Sequence, residues 1–125
     1  MAKLCEANSI LYWHFLQPNQ YVKNSKALSE EEGKIAFNTE AIYKKPAEQG
    51  YPALIRAGYE LANSNIQFHD LTNIFKDHAE SVYEDDCCHL NKNGNEILGD
   101  TIGKLMVEDI EKREKNKKRQ VLVGK

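Results

Sequence analysis

An aspartate and a histidine three positions apart, Asp86 and His89, form the segment best suited to acid–base chemistry. In a tight loop, D-x-x-H spacing lets the Asp86 carboxylate accept a hydrogen bond from Nδ1–H of His89. That bond fixes the tautomer and leaves Nε2 free to take a proton. An imidazole with an ordinary pKa near ~6.5 suits general-base work at neutral pH. The spacing therefore predicts an Asp86–His89 pair with a catalytic role, with the adjacent Asp85 as an alternative partner.

Two other interpretations of this segment stay open. The pair can serve only to stabilise a loop. Cys87, Cys88 and His89 can also be considered as zinc ligands, although zinc sites favour four ligands and spaced cysteines such as C-x₂₋₄-C. With Cys5 the chain has three cysteines, and an odd count with two adjacent members is not the pattern of a disulfide framework. We expect reduced thiols and no metal.

The segments that must position this pair follow a strand–helix–strand–helix order. Residues 10–16 are a nearly unbroken apolar run, typical of a strand buried on both faces of a parallel sheet. Ser29 can cap a helix whose apolar face continues to about Tyr43. Pro46 is then expected to interrupt the helical segment. A second helix is predicted from residue 51 or 52 to residue 62.

A second short strand is predicted at residues 66–71, and Asn91 can cap a final amphipathic helix. The order predicts an α/β fold in which two parallel strands are joined by a crossover. Open sheets more often have about four to six strands, and a lone pair leaves a long edge bare. We therefore expect that the N-terminal strands of the domain are missing, or that a partner supplies them.

Composition narrows the classes of function. A net charge of −2 over 125 residues gives no electrostatic reason to expect nucleic acid, and no apolar run is long enough for a membrane span. The N-terminus lacks the apolar stretch of a signal peptide, and the localisation stays open. We expect a folded domain over residues 1–111 and a charged, frayed or disordered tail over residues 112–125.

The segment D-x-x-H-L-N-x-x-G-N at residues 86–95, followed by an amphipathic helix, resembles the last conserved block of SGNH (GDSL-type) ester hydrolases. Residues 14–21, with the sequence HFLQPNQY, resemble a strand and loop found upstream of that block in some members. The resemblance covers roughly residues 1–110. It implies a partial three-layer αβα, flavodoxin-like fold. It also implies a Ser-His-Asp triad to which Asp86 and His89 belong; an Asp85 partner would depart from the family spacing.

The resemblance implies hydrolysis of a small ester by serine attack, without a cofactor. Gln17 and Asn19 follow the C-terminal end of the first strand, where α/β sheets bind ligands; we predict that they contact substrate, with a polar turn as the alternative. The nucleophile block is missing, because no serine lies in a G-D-S or G-x-S-x-G context. Loss of a nucleophilic serine costs about 10⁶ in kcat, so we expect little activity from this chain alone. The alternative is a non-catalytic α/β remnant that binds a partner, or itself, through the exposed sheet edge.

Overall fold

Two short parallel strands, β1 (Trp13–Leu16) and β2 (Gln67–Asp70), form the sheet in a computed structural model that describes residues 1–123. Trp13 lies opposite Gln67 and Leu16 opposite Asp70. The predicted α/β class, with parallel strands joined by helical segments, is confirmed at this level. Both strands are shorter than the apolar runs that predicted them.

Four helices accompany the sheet: α1 (Ala2–Ala7), α2 (Glu30–Ala36), α3 (Lys44–Asn63) and α4 (Lys92–Val123). Helix α4 continues through residues 112–123 of the predicted tail, whereas residues 124–125 lie outside the described residues. Fraying of this tail in solution stays a prediction. Within residues 1–123, no helix combines the length and apolar character needed to cross a membrane.

Helix α2 begins as predicted but ends earlier. Ser29 accepts a hydrogen bond from the backbone N–H of Glu32, which confirms it as the cap. The helix stops at Ala36 because Phe37 adopts an extended backbone, with φ −130°. Oδ1 of Asn38 then accepts a hydrogen bond from the backbone N–H of Glu40 at 3.0 Å. This local side-chain bond competes with continuation of the helix. The predicted extension to Tyr43 is wrong.

Helix α3 begins before the predicted start at residue 51 or 52. Pro46 lies in its first turn, where the N–H groups have no helical partner, so the missing donor does not break the helix. Pro52 lies inside the helix instead of at its start. The interruption predicted at Pro46 is therefore wrong.

The two faces of the sheet contact different helices, because side chains alternate along a strand. On one face, Phe68 of β2 approaches Gly58 of α3 so closely that a Cβ there would lie 2.0 Å from the ring. On the other face, Trp13 Nε1 donates to Asp109 Oδ2 of α4 at 3.1 Å, and His69 Nε2 lies 2.7 Å from the same oxygen. Helices α3 and α4 thus lie on opposite faces.

Burial of the strands is lower than the sequence predicts. Every residue of β1 and β2 is half-buried, where a strand covered on both faces was expected. Ile10 and Leu11, predicted as the start of the first strand, precede β1 and are 59% and 48% exposed. Within residues 1–123 each strand pairs only with the other, so each has one open edge.

The fully buried core lies beside the sheet, between α2 and the segment that leads to the Asp–His block. Its apolar members are Ala36, Phe75, Val82 and Tyr83. Glu32, only 1% exposed, reaches into this core. Its Oε1 accepts hydrogen bonds from the backbone N–H groups of Val82, at 2.8 Å, and Tyr83, at 3.1 Å.

Lys26 compensates the buried charge of Glu32. Its Nζ lies 3.3 Å from Glu32 Oε2, and both side chains are inaccessible to solvent. The same ammonium donates to the carbonyl oxygens of His78, at 2.6 Å, and Glu80, at 3.0 Å. Together the two side chains hold residues 78–83 against α2, and this segment enters directly into the loop that carries Asp85 and His89.

We predict that Glu32→Gln lowers the free energy of unfolding by about 3–5 kcal/mol, because it leaves the buried Lys26 charge without a counter-ion. Urea denaturation measures the change. Glu31→Gln, at an exposed position of the same helix turn, is the matched control and is expected to stay within about 0.5 kcal/mol of the parent. Equal midpoints for the two variants would contradict the structural role given to Glu32.

Candidate functional site

Residues 84–89 form a loop that is closed at its base and organised by one carboxylate. The backbone N–H of Glu84 donates to the carbonyl of His89 at 3.0 Å, next to an antiparallel bridge between Tyr83 and Leu90. Inside the loop, Asp85 Oδ1 accepts from the backbone N–H groups of Cys87, at 2.8 Å, and His89, at 3.2 Å. This is the turn that an aspartate makes with its own backbone.

His89 bonds to Asp85 and not to the predicted Asp86. Its Nδ1 lies 2.5 Å from Asp85 Oδ2. Asp86 points elsewhere, because its two oxygens accept from Asn38 Nδ2 and from the Tyr43 hydroxyl, each at 2.8 Å. The prediction of an Asp86–His89 hydrogen bond is therefore wrong in this structure. The catalytic role of Asp86 stays a prediction.

The Asp85–His89 pair is open to solvent. The His89 side chain is 65% exposed and that of Asp85 is 40% exposed. The hydrogen bond to Asp85, followed by the attraction of its charge, raises the pKa of His89, and the same bond is the main cause of the lowered pKa of Asp85. Among the described residues nothing hydrogen-bonds to His89 Nε2, so that nitrogen is free to exchange a proton.

Asp86 is held as a carboxylate by its own set of donors. The hydrogen bond from Asn38, and then that from Tyr43, lowers the pKa of Asp86. In return, the hydrogen bond with Asp86 raises the pKa of Tyr43 well above its ordinary value. The two adjacent aspartates of the loop are thus both favoured in the ionised form, by different partners.

The loop is anchored to the segment that follows the C-terminal end of β1. Gln20 Nε2 donates to the carbonyl of Asp85 at 3.2 Å, and to that of Ala36 at 3.0 Å. The Tyr21 hydroxyl donates to the carbonyl of Asp86 at 2.8 Å. Sequence reasoning did not single out these two residues, although both follow the polar turn around Pro18. Their role depends on contacts across 65 positions of chain.

Gln17 and Asn19, the predicted substrate-binding residues, lie in different environments. Gln17 is exposed. Asn19 is only 9% exposed and accepts from the backbone N–H of Tyr21 at 2.9 Å through Oδ1. Its carbonyl accepts from the Ser25 hydroxyl at 3.0 Å. The geometry of Asn19 matches the polar turn that was the alternative interpretation, and contact with substrate stays a prediction for both residues.

The start of α4 explains the spacing that follows His89 in the sequence. Asn91 Oδ1 accepts from the N–H of Gly94 at 3.0 Å, which confirms Asn91 as the helix cap. A Cβ at Gly94 would lie only 2.4 Å from the carbonyl oxygen of Val82, so this close approach needs a glycine. The N-x-x-G spacing therefore seats α4 on the segment that Glu32 holds.

Residues 1–123 contain neither a serine hydrogen-bonded to His89 nor a cluster of metal ligands. Several serine hydroxyls have local bonds: Ser25 donates to Asn19, Ser64 to Glu60 and Ser81 to Tyr83, while Ser29 caps α2. In this part of the chain no serine hydroxyl is hydrogen-bonded to His89. The same residues contain no group of three or more His, Cys, Asp and Glu side chains arranged to hold a metal ion, so the zinc interpretation gains no support.

Comparison of the chain with protein-family models, curated proteins and solved structures finds no significant match. The resemblance to SGNH hydrolases therefore rests on the motif residues alone.

We predict that the pKa of His89, followed by NMR of its ring protons, lies above the ordinary value of about 6.5. Asp85→Asn is expected to lower this pKa towards that value, because the mutation removes the charge that stabilises the imidazolium. Asp86→Asn is the matched control at the neighbouring position. A larger decrease in Asp86→Asn than in Asp85→Asn would contradict the pairing described above.

The same pair gives a pH window for stability. Because the pKa of His89 is raised on folding, its contribution is lost as the pH rises through the folded-state value. Because the pKa of Asp85 is lowered, its contribution is lost as the pH falls through that lowered value. The stabilisation from the pair is therefore present between these two limits and absent outside them.

Proposed function

We propose that this chain is part of an SGNH-type ester hydrolase in which His89 is the general base. The observation that carries the proposal is the hydrogen bond between His89 Nδ1 and Asp85 Oδ2, which leaves Nε2 free at an exposed loop. The loop lies next to the segment after β1, at the edge of a parallel sheet where α/β proteins bind ligands. The D-x-x-H-L-N-x-x-G-N spacing at residues 86–95 supports the same assignment.

The proposed chemistry is acyl transfer. A serine hydroxyl attacks the ester carbonyl while His89 Nε2 takes its proton, and the protonated imidazole then delivers the proton to the leaving alcohol. The carboxylate at Nδ1 holds the ring in the correct tautomer and stabilises the imidazolium. The raised pKa of His89 and the lowered pKa of Asp85 both favour that charged pair.

Spacing and geometry favour different aspartates for the proposed orienting role. The family spacing assigns it to Asp86, whereas the contacts favour Asp85, which makes the hydrogen bond. We propose that Asp85 orients His89 in the conformation described here. Asp86 then positions the loop, because Asn38 and Tyr43 bind its side chain and Tyr21 binds its carbonyl group.

The proposal requires a nucleophile and oxyanion donors from polypeptide outside these 125 residues. Four of the serine hydroxyls have local partners, and none of the five serines lies in a nucleophile motif. The open edges of β1 and β2 support a partial αβα domain whose further strands would carry those groups.

Two assays on the purified chain test this proposal. The first is labelling with a fluorophosphonate, read by intact mass. We expect no adduct, because the chain supplies a base without an activated serine. An adduct that disappears in His89→Ala would show that a serine of this chain is activated, and would contradict an external nucleophile.

The second assay tests His89 itself through slow hydrolysis of ethyl dichloroacetate, an ester whose poor leaving group makes imidazole act as a general base and not as a nucleophile. General-base catalysis contributes about 10²–10⁴-fold in an assembled site, and we expect a smaller residual rate here that is mostly lost in His89→Ala. The matched control is His78→Ala, since His78 Nδ1 also pairs with a carboxylate, that of Glu80, at 2.8 Å. Equal rates in the two variants would contradict a general-base role for His89.

A second candidate function, binding to a partner through the sheet edge, is favoured by the incomplete cover of the strands. All residues of β1 and β2 are half-buried, and Ile10 and Leu11 expose about half of their surface just before β1. Exposed backbone at a strand edge can pair with another strand, including that of a second copy. We propose self-association as the simplest form of this interaction.

Sedimentation or light scattering across a concentration series tests self-association. We expect Leu11→Lys to shift the chain towards monomer, because it places a charge beside the open edge. Ile42→Lys is the matched control, since Ile42 is 88% exposed in the loop between α2 and α3. A monomeric parent chain at all concentrations would contradict this candidate.

A further inference from the structure

Two adjacent cysteines lie at the tip of the loop that carries the Asp85–His89 pair. Cys87 and Cys88 are both free and half-buried. They lie between Asp85 and His89 in the sequence. Asp85 Oδ1 accepts hydrogen bonds from the backbone N–H groups of Cys87 and His89, which flank Cys88. Any change in the backbone at the two cysteines therefore acts on the turn that holds His89 beside its carboxylate.

The backbone at Cys88 is in the left-handed region, with φ 83°. Side chains with a Cβ disfavour this region, and asparagine, which tolerates it best, occupies two of the other such positions in residues 1–123. A strained residue inside a candidate site is a reason to ask what its side chain does.

We propose that Cys87 and Cys88 are a peroxide-sensitive dithiol, which closes reversibly into a disulfide between neighbouring residues and thereby breaks the His89–Asp85 hydrogen bond. The disulfide itself does not depend on the proposed ester hydrolysis. The effect of the disulfide on the Asp85–His89 pair concerns the same loop as the proposed function, and the tests below detect it without an activity assay.

The chemistry balances with hydrogen peroxide as the oxidant. The Cys87 thiolate attacks one peroxide oxygen, the O–O bond breaks, and Cys87 becomes a sulfenic acid while the other oxygen leaves as water after protonation. The Cys88 thiolate then attacks the Cys87 sulfur, an S–S bond forms, and a second water leaves. The two thiols lose two electrons and two protons in total, and the peroxide is reduced to two molecules of water.

The order of attack follows from the environments of the two thiols. Burial first, and then the charge of Cys87, raises the pKa of the Cys88 thiol. The raised pKa makes Cys88 the poorer first nucleophile, so Cys87 attacks the peroxide, and Cys88 loses its proton only when it attacks the sulfenic acid. Cys5 lies in α1, and β1, α2, α3 and β2 separate it from this loop in the sequence.

Geometry makes such a disulfide reversible. Consecutive Cα atoms lie 3.8 Å apart across a trans peptide, whereas unstrained disulfides join Cα atoms about 4.4–6.8 Å apart. The ring that closes between neighbours is therefore strained, and strained disulfides are reduced more readily. Closure also requires rotation of the backbone between Cys87 and Cys88, and this moves the following residue, His89, whose N–H donates to Asp85 Oδ1 at 3.2 Å.

The first test is mass analysis of the chain after treatment with hydrogen peroxide and blocking of free thiols. Trypsin cleaves after Lys76 and Lys92, so both adjacent cysteines lie in peptide 77–92 and Cys5 lies in another. We expect peptide 77–92 to lose the mass of two hydrogen atoms and to regain it with dithiothreitol. Cys5→Ser should keep this change, and Cys87→Ser and Cys88→Ser should each lose it. Thiols in this peptide that stay available for alkylation, or that pair with Cys5 or a second chain, would overturn the proposal.

The second test follows the ring protons of His89 by NMR in the reduced and oxidised Cys5→Ser protein. We expect oxidation to lower the pKa of His89 towards the value in Asp85→Asn, and reduction to restore it. His78, paired with Glu80 outside the loop, is the internal control, and the chemical shifts of its ring protons should not change on oxidation. An unchanged His89 titration in fully oxidised protein would overturn the link between the dithiol and the Asp–His pair.

Discussion

One buried carboxylate, that of Glu32, determines where the candidate site lies. A charge with 1% exposure is costly unless it is paired and hydrogen-bonded, and Glu32 meets that condition through Lys26 and the N–H groups of Val82 and Tyr83. Lys26 in turn binds carbonyl groups at residues 78 and 80. Because these partners are mostly backbone groups, the interaction constrains the course of the chain. Helix α2 thus fixes the segment from which the Asp–His loop and α4 both extend.

The loop that follows has two adjacent carboxylates with separate structural roles. Asp85 accepts a hydrogen bond from the backbone N–H of Cys87 in its own loop and pairs with the imidazole of His89. Asp86 instead accepts from Asn38 and Tyr43, which lie in the segment between α2 and α3. The backbone of both residues is tied to the segment after β1 by Gln20 and Tyr21. Such an arrangement holds the imidazole by a charge-assisted hydrogen bond and keeps its second nitrogen exposed, which are the two requirements of an oriented general base.

The sheet is less covered than its apolar sequence predicts. Helices α3 and α4 contact opposite faces, yet no strand residue is fully buried and each strand has an open edge. This incompleteness is consistent with both proposed functions, since further strands would complete a hydrolase domain and a partner strand would complete an interaction. The buried core beside the sheet does not depend on either, because it is formed by α2 and residues 75–83.

Local signals in the sequence determined the parts of this structure that depend on neighbouring residues. Ser29 and Asn91 cap their helices as predicted, since a side chain of that type satisfies an N–H two or three residues later. The parallel α/β arrangement also followed from the order and apolar character of the segments. Tertiary structure decided what required contacts distant in sequence. Those contacts include the burial of Glu32 some 50 positions from its backbone partners and the anchoring of the loop by Gln20 and Tyr21. The choice between Asp85 and Asp86 belongs to the same group, because spacing permits either aspartate to reach His89, and only the donors around Asp86 direct its side chain away.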